Sequence, residues 1–232
     1  MTYEEIIKKL KALENPRNIA GMARFGIRPK TKVFGVPVPV MRKMAREIRK
    51  LVGCPTPHEL AMKLFDSGIH EARLLGSMTA DAEKLTEQEI EKWVKTFDSW
   101  DVVDQTCMNL FDKSKIAVKK IAEFAKREAE FEKRTAFALI AALASHDKKS
   151  GDEYFTKFFP LIKKASEDER NFVRKAVNWA LRGIGKRNKK LNKEAIKLAQ
   201  DLQKINSKSA KWIANNALTE LTGQAVQKRL CK

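Results

Sequence analysis

A short acidic segment, Asp98-Ser99-Trp100-Asp101-Val102-Val103-Asp104, carries the side chains of this sequence that are best suited to chemistry. Ser99 is a suitable N-cap for a helix that begins at Trp100, and Asp101 in the first turn is stabilised by the helix dipole. Asp104 lies beyond that turn and four residues after Trp100, so both occupy one helix face. A partly buried carboxylate beside an aromatic ring is a common catalytic arrangement. A structural salt bridge is the alternative interpretation of Asp104.

A second tryptophan stands among positive charges. In the helix predicted over 168–186, the apolar residues form one stripe, and Trp179 lies about 130° from its centre. Its neighbours around the helix are Lys175, Arg182 and Lys186. Because the neighbouring cations can bind phosphate, an indole in this position indicates a binding surface. Packing of Trp179 on a neighbouring helix is the alternative interpretation.

Arg134 precedes a run, Ala136 to Ala144, that is apolar on every face and therefore predicts a central buried helix. An arginine at such a position must be paired or hydrated. Asp104 or a bound phosphate group would serve as partner, and plain exposure at the helix start is the alternative.

These candidates must be positioned by helices, because helical periodicity runs almost from end to end and the 232 residues include only 10 glycines and 7 prolines. Thr56, Thr86, Ser99 and Ser207 each precede a periodic stretch and are suited to N-caps. Only the segment Phe25–Pro39 is predicted to form a long connection. The predicted helices cover 2–14, 16–24, 38–52, 57–67, 69–80, 86–97, 100–112, 115–127, 130–145, 151–165, 168–186, 190–204 and 207–222.

Short helices that pair with a period of about forty residues are typical of HEAT and armadillo arrays. We therefore expect residues 1–232 to form a single all-α domain. The expected architecture is a curved, right-handed α-solenoid whose inner helices line a concave, basic groove suited to a rod-like ligand.

The net charge is +18, and it is unevenly distributed. From Arg170 to Lys232, 16 lysines and arginines stand against three acids. A basic half of this kind favours a polyanion, because neutralised phosphates release their counterions. A solubilising surface and an anionic membrane are the alternatives.

Several classes are disfavoured by what the sequence lacks. It has no long apolar run for a membrane span, and its amphipathic N-terminus with early acids is unlike a signal peptide. Cys54, Cys107 and Cys231 are far apart, as are the three histidines, and none has the spacing of a zinc site. We expect reduced thiols, structural histidines, no metal and a cytoplasmic protein.

Four motifs in this order resemble the DNA alkylation repair enzyme family, the AlkD-like HEAT-repeat alkylpurine glycosylases, over nearly the whole chain. The segment 22–32 departs from the best-studied members, which carry an aromatic and a polar residue there. The motifs are Phe34-Gly35-Val36-Pro37 with Met41-Arg42-Lys43, Trp100-Asp101-Val102-Val103-Asp104, Lys133-Arg134-Thr135-Ala136, and Val173-Arg174-Lys175-Ala176-Val177-Asn178-Trp179-Ala180-Leu181-Arg182.

The resemblance implies that Asp104 is the catalytic aspartate, and that Trp100 and Trp179 flank the damaged nucleotide. It also implies that Arg134 and Arg182 contact the DNA backbone near the lesion.

Arg174, Lys175 and Lys186 are expected to add further DNA contacts. The implied reaction is hydrolysis of the N-glycosidic bond of positively charged N3- or N7-alkylated purines in duplex DNA, without full base flipping. We expect a monomer that acts at the nucleoid and needs no cofactor.

Two other functional classes fit the same composition. A non-catalytic HEAT-type scaffold would bind DNA or RNA by charge alone and would not need Asp104 beside Trp100. A protein-binding solenoid would direct the Trp179 cluster at an acidic partner.

Overall fold

The computed structural model describes residues 1–231, and this part of the chain is built from α-helices. One isolated parallel bridge, between Lys32 and Ile69, joins the long connection to the start of a helix. The predicted all-α class is confirmed. The helices are α1 (Tyr3–Ala12), α2 (Pro16–Arg24), α3 (Val38–Ile48), α4 (Pro57–Phe65), α5 (His70–Thr79), α6 (Glu87–Thr96), α7 (Trp100–Asn109), α8 (Lys115–Lys119), α9 (Ile121–Phe124), α10 (Glu130–His146), α11 (Asp152–Thr156), α12 (Phe159–Ala165), α13 (Asn171–Gly185), α14 (Lys189–Gln203), α15 (Lys208–Thr222) and α16 (Gln224–Leu230).

Helix boundaries follow the predicted capping chemistry closely. Thr56 and Thr86 each form a capping box with a glutamate three residues later, and Ser207 accepts a hydrogen bond from the Ala210 amide. The prediction fails where it runs elements together. The stretch 115–127 divides into α8 and α9, the stretch 151–165 divides into α11 and α12, and α16 was not predicted at all.

The chain forms two compact units, of which the first spans Met1–Val118 and the second begins at Lys119. The single-domain expectation is not tested by this division and stays a prediction. None of the helices within residues 1–231 is both long and apolar enough to cross a membrane.

The first unit is organised around α5, a helix whose ten residues are all buried. It packs against α3, α4 and α7. Beside it lies an aromatic cluster in which Phe65 stacks on Trp93 at a centroid distance of 3.7 Å and meets the edge of Phe97. These contacts fix the position of α7, which carries the acidic segment.

The second unit is organised around α10 and α13, which pack along each other. The predicted burial of Ala136–Ala144 on every face is confirmed, since each of these residues is at most 4% exposed. Helix α13 also packs on α15 at Gly185, where a Cβ would lie 2.7 Å from Leu221 Cδ1. A side chain at this position would have to displace Leu221, so the glycine permits close packing of α13 on α15.

Candidate functional site

The acidic segment begins with a hydrogen bond that differs from the predicted one. Ser99 occupies the N-cap of α7, but its side chain caps no backbone amide, and its hydroxyl instead donates to the Asp101 carboxylate. The predicted N-cap position of Ser99 is therefore confirmed, but its side chain leaves the helix amides uncapped, because the nearby carboxylate is a strong acceptor for the hydroxyl.

Asp101 does far more than complement the helix dipole. Its Oδ2 lies 2.8 Å from Nε2 of His70, and the His70 side chain is only 1% exposed. Burial disfavours the Asp101 anion, but hydrogen bonds and charge from His70, together with Ser99, outweigh burial and lower the Asp101 pKa below its ordinary value. Asp101 is therefore an ionised acceptor held inside the first unit.

Asp104 and Trp100 are both partly exposed on α7. The Trp100 indole Nε1 donates to the carbonyl oxygen of Phe25 at 3.1 Å, which fixes the indole against the end of α2. Asp104 is neither sealed in the core nor fully exposed. It therefore retains access to a ligand on the face that it shares with Trp100.

The polar start of α5 holds this region together, and the sequence interpretation did not assign it a role. The Glu71 carboxylate is buried and accepts three backbone hydrogen bonds, from the amides of Phe34, Gly35 and Val36 at 3.0, 2.6 and 3.3 Å. The motif Phe34-Gly35-Val36-Pro37 is thus a loop that wraps a buried carboxylate.

Gly35 explains why this loop is glycine-dependent. Its φ is +73°, and a Cβ there would lie 2.6 Å from the carbonyl oxygen of Asn15. Asn18 of α2 donates to the Gly35 carbonyl at 2.9 Å. The loop and α2 are therefore locked together at their closest approach.

Arg73 completes the set of buried polar residues on α5. Its Nη1 donates to Asp98 at 2.6 Å, its Nη2 donates to the Thr96 carbonyl at 2.7 Å, and its guanidinium lies 4.8 Å from the Phe65 ring centroid. The other Asp98 oxygen accepts from the amide of Lys30 at 2.8 Å. Through Asp98 and Asp101, α5 holds both ends of the turn that leads into α7.

In the second unit, Trp179 lies half-buried on α13 and lines a cavity of about 670 Å³. The expected cationic surroundings are present within this unit. The charged residues that line this cavity are the acid Asp152 and the cations Lys148, Lys186, Arg187 and Arg229. Of these, only Lys186 was predicted from helical angles, because Lys148 and Arg229 come from other parts of the chain and Arg187 follows the end of α13. The predicted neighbours Lys175 and Arg182 do not line the cavity.

Two of the predicted DNA-contacting cations share one acid. Glu220 on α15 forms ion pairs with both Arg182 and Lys186, the latter at 2.6 Å. Burial raises the Glu220 pKa, but the hydrogen bonds and charges of Lys186 and Arg182 outweigh it and lower the pKa. Sequence reasoning missed Glu220, which reduces the charge that these two residues offer to a phosphate.

The remaining predicted cations differ in accessibility. Lys175 is exposed, and the Arg174 guanidinium lies 4.7 Å from the Trp212 ring centroid. Arg134 is only 4% exposed and donates from Nη1 to the Phe172 carbonyl at 2.5 Å. The alternative of a solvent-exposed Arg134 is therefore wrong. The structure also gives no support to the predicted contact between Arg134 and DNA, because the guanidinium is buried and holds α10 to α13.

The predicted site residues thus fall into two local groups. The first unit places Trp100 and Asp104 on α7, and the second unit places Trp179 and Arg182 on α13, with Lys186 directly after its end. Within residues 1–231, no cluster of His, Cys, Asp or Glu side chains is arranged to hold a metal ion.

Two proteins of Listeria are similar to this chain in sequence. An uncharacterized protein of Listeria monocytogenes, Lmo0209, is 31% identical over 101 residues, which is 43% of either chain. Another from Listeria innocua, Lin0241, is 22% identical over 206 residues, which is 88% of either chain.

A solved structure matches 99% of this chain and 96% of its own, at 19% identity and a TM-score of 0.79. Its protein is described as one of a new family related to the HEAT-like repeat DNA glycosylases, with affinity for branched DNA structures. The likeness confirms the HEAT-like repeat fold.

The sequence profile of the DNA alkylation repair enzyme family matches residues 6–221, which is nearly the whole chain. The resemblance carried by the four motifs is therefore confirmed, and the chain belongs to the DNA alkylation repair enzyme family.

Proposed function

We propose that this protein is a DNA glycosylase that binds duplex DNA and hydrolyses the N-glycosidic bond of positively charged N3- or N7-alkylated purines. The observation that carries the proposal is the pair on α7. Asp104 is a partly exposed carboxylate on the same helix face as Trp100, whose indole is oriented by a hydrogen bond to the Phe25 carbonyl.

The chemistry suits a single carboxylate because the alkylated base is already cationic and leaves with the electrons of the glycosidic bond. The sugar then develops positive charge at C1′, and the Asp104 carboxylate stabilises that charge. Water forms the new bond to C1′ and transfers a proton to Asp104. No cofactor is needed for this balance of atoms and electrons.

The aromatic and cationic residues bind and orient the substrate in this proposal. Trp100 and Trp179 offer their ring faces to the cationic nucleotide, and each contact contributes about 0.5–2 kcal/mol. Lys175, Arg182 and Lys186 contact phosphates, which fixes the position of the protein along the duplex. Arg174, which is partly exposed, adds a further phosphate contact in this proposal, whereas the buried Arg134 acts by holding α10 to α13.

Asp104→Asn tests the proposal directly. We expect this variant to bind DNA like the parent and to release 7-methylguanine from a defined duplex about a hundredfold more slowly or worse, because the charge at C1′ is no longer compensated. Abasic sites are scored by alkaline strand cleavage, without added metal or nucleotide.

Asp66→Asn is the matched control, because Asp66 is an exposed carboxylate of the same unit that pairs with Lys92. Its excision rate is expected to equal that of the parent. Excision at the parental rate by Asp104→Asn removes Asp104 as the catalyst.

A second candidate function is recognition of DNA structure without excision. It is favoured by the match to the protein described as having affinity for branched DNA, and by the surplus of cations around Trp179. A parent protein that binds four-way junctions more tightly than alkylated duplex, and that releases no base, would establish this function instead.

A further inference from the structure

The cavity beside Trp179 lies in the second unit, at the ends of α10 and α13 and against α16. Its volume is about 670 Å³, and its lining residues other than Ala144, Trp179 and Gly183 are polar or charged. Most small-molecule sites are lined mainly by hydrophobic side chains. The lining of this cavity therefore indicates a strongly polar ligand.

Most of the positive charge of this cavity is not neutralised by acids of the protein. Lys186 is paired with Glu220 at 2.6 Å. The other three cations of the lining, Lys148, Arg187 and Arg229, form no ion pair with an acid within residues 1–231. Clustered cations repel one another, so an anion that enters the cavity relieves this repulsion.

Carbonyl oxygens and an aromatic ring hold two of these cations in place. Arg187 donates from Nη1 to the Ala144 carbonyl at 2.8 Å, and its guanidinium lies 3.7 Å from the Phe155 ring centroid. Lys148 donates from Nζ to the Ser145 carbonyl at 2.6 Å. Neutral acceptors of this kind position a cation and leave its charge available to a ligand.

The acids near Arg187 are already engaged in other contacts. Asp152 accepts a hydrogen bond from Nδ2 of Asn188 at 2.6 Å, and Asp147 accepts two backbone amides of its own loop at 2.9 Å. Burial lowers the Arg187 pKa below its ordinary value and outweighs the opposing effect of both acids. The protein therefore compensates the Arg187 charge incompletely.

A neighbouring cavity of about 640 Å³ extends the same basic surface. Both cavities are lined by Asp152, Arg187, Asn188 and Arg229, and the second adds Lys189 and Lys190. These two lysines form the first turn of α14, a helix of 15 residues. The amides and the positive dipole end of such a helix favour an anion and reinforce the cations of the lining.

The charge and shape of the site favour a phosphomonoester. A phosphomonoester carries a charge of about −1.5 to −2 and three acceptor oxygens, whereas an internal phosphodiester of DNA carries one negative charge. A terminal phosphate can also enter a cavity, because it is attached to a sugar on one side only. The half-buried Trp179 in the cavity wall offers a ring face to the adjoining nucleoside.

We propose that the cavity lined by Lys148, Arg187 and Arg229 binds a terminal phosphate, carried either by the end of a DNA strand or by a free nucleotide. The two sources share one recognition chemistry. The site goes beyond the proposed excision reaction, since it requires neither an alkylated base nor the Asp104 carboxylate.

The test begins with the parent protein and undamaged DNA. A short duplex with a phosphate at the 5′ or the 3′ end of one strand is compared with the same duplex ending in hydroxyls. Fluorescence anisotropy is measured at about 0.15 M salt, where nonspecific contacts with the backbone are weakened. We expect at least one phosphorylated end to bind about fivefold more tightly. A terminal phosphate capped as its methyl diester should lose most of this preference, and equal binding of the capped and uncapped ends would exclude a phosphomonoester site.

Two double variants separate the cavity from general attraction by charge. Lys148→Gln with Arg229→Gln removes two cations of the lining and should abolish the preference for a terminal phosphate. Lys149→Gln with Lys228→Gln is the matched control, because these exposed neighbours along the chain line neither cavity. Both double variants lower the net charge by the same amount, so only the control should keep the parental preference.

A second arm identifies the source of the phosphate. Isothermal titration calorimetry compares 2′-deoxyadenosine 5′-monophosphate with 2′-deoxyadenosine, on the parent and on both double variants. Phosphate-dependent binding that only the cavity variant loses assigns the site to a free nucleotide. A preference seen only with DNA ends assigns it to a strand terminus. The parent may not depend on a variant's folding for this result: absence of any phosphate preference by the parent in both arms, or equal loss in the two double variants, overturns the proposal. Because neither arm contains an alkylated base, a failure of the proposed excision reaction leaves both measurements unaffected.

Discussion

The two units of this protein use charge in different ways. The first 118 residues carry 20 lysines and arginines against 16 acids, whereas the rest of the sequence carries 27 against 13. In the first unit the key charged groups are buried and satisfied, as Glu71 and Arg73 are on α5. In the second unit they are half-exposed, as Arg182, Lys186 and Glu220 are.

The two arrangements of charge have different consequences: buried charged groups fix the local geometry of the protein, and half-exposed ones can contribute to affinity for a ligand. A buried carboxylate that accepts several backbone hydrogen bonds fixes a loop in one conformation, since any loss leaves unsatisfied groups in the interior. A half-exposed cation can exchange its acidic partner for a phosphate at little cost. Under the proposed function, the first unit would hold the reacting groups in place and the second would supply adjustable contacts to DNA phosphates.

The largest expected effect is that of removing the Glu71 carboxylate. Glu71→Ala leaves three buried backbone amides without an acceptor and should lower the free energy of unfolding by about 3–5 kcal/mol. Urea denaturation followed by circular dichroism measures the change. Glu220→Ala in the second unit should cost less than about 1 kcal/mol. Equal losses from the two substitutions would erase the contrast between the units.

The second prediction concerns DNA affinity, which the substitution is expected to increase. Glu220→Gln releases Arg182 and Lys186 from their shared acid, so binding to unmodified duplex should tighten severalfold at low salt. The slope of log K against log salt should steepen by about 1–2, as expected for one or two additional phosphate contacts. Glu194→Gln, which changes the net charge equally on another helix, is the control. An unchanged salt slope would show that these cations do not face DNA.

The sequence was informative where a residue's role depends on its own helix. Helical periodicity predicts the apolar run within α10 and the shared face of Trp100 and Asp104. It also predicts the caps at Thr56 and Thr86, which directly precede periodic stretches. The same reasoning failed where partners are distant along the chain. Glu71 meets a loop more than thirty residues earlier, and Glu220 meets Arg182 from a helix 38 residues later.

The contact between His70 and Asp101 was missed for the same reason. The sequence predicts a structural His70, in agreement with its burial, and a helix-dipole role for Asp101, but neither position shows that the two meet at 2.8 Å. One signal is available in the sequence: α5 carries His70, Glu71 and Arg73 within its first four residues, although its remaining residues are mostly apolar. Polar residues at the start of a fully buried helix require partners. They therefore predict a buried network even when its members cannot be named.

The smallest expected effect is on the pH dependence of stability, and it sharpens the contrast between the units. The Asp101 pKa lies below its ordinary 3.8, since the contacts with His70 and Ser99 outweigh burial. The stability that the ionised Asp101 contributes is complete above about pH 5. This stability is lost as the pH falls below 3.8 through the folded-state pKa, because Asp101 of the unfolded chain is protonated at a higher pH than Asp101 of the folded protein. Asp101→Asn should therefore flatten the acid limb of the stability curve, by at most about 1.4 kcal/mol per pH unit. Denaturant titrations between pH 2.5 and about 6 measure that slope. Glu220→Gln should flatten it less, because the Glu220 ion pairs are about one-third exposed to solvent. A parental slope in Asp101→Asn would mean that the contact with His70 adds nothing to folding, and the fixed geometry of the first unit would then depend on Glu71 and Arg73 alone.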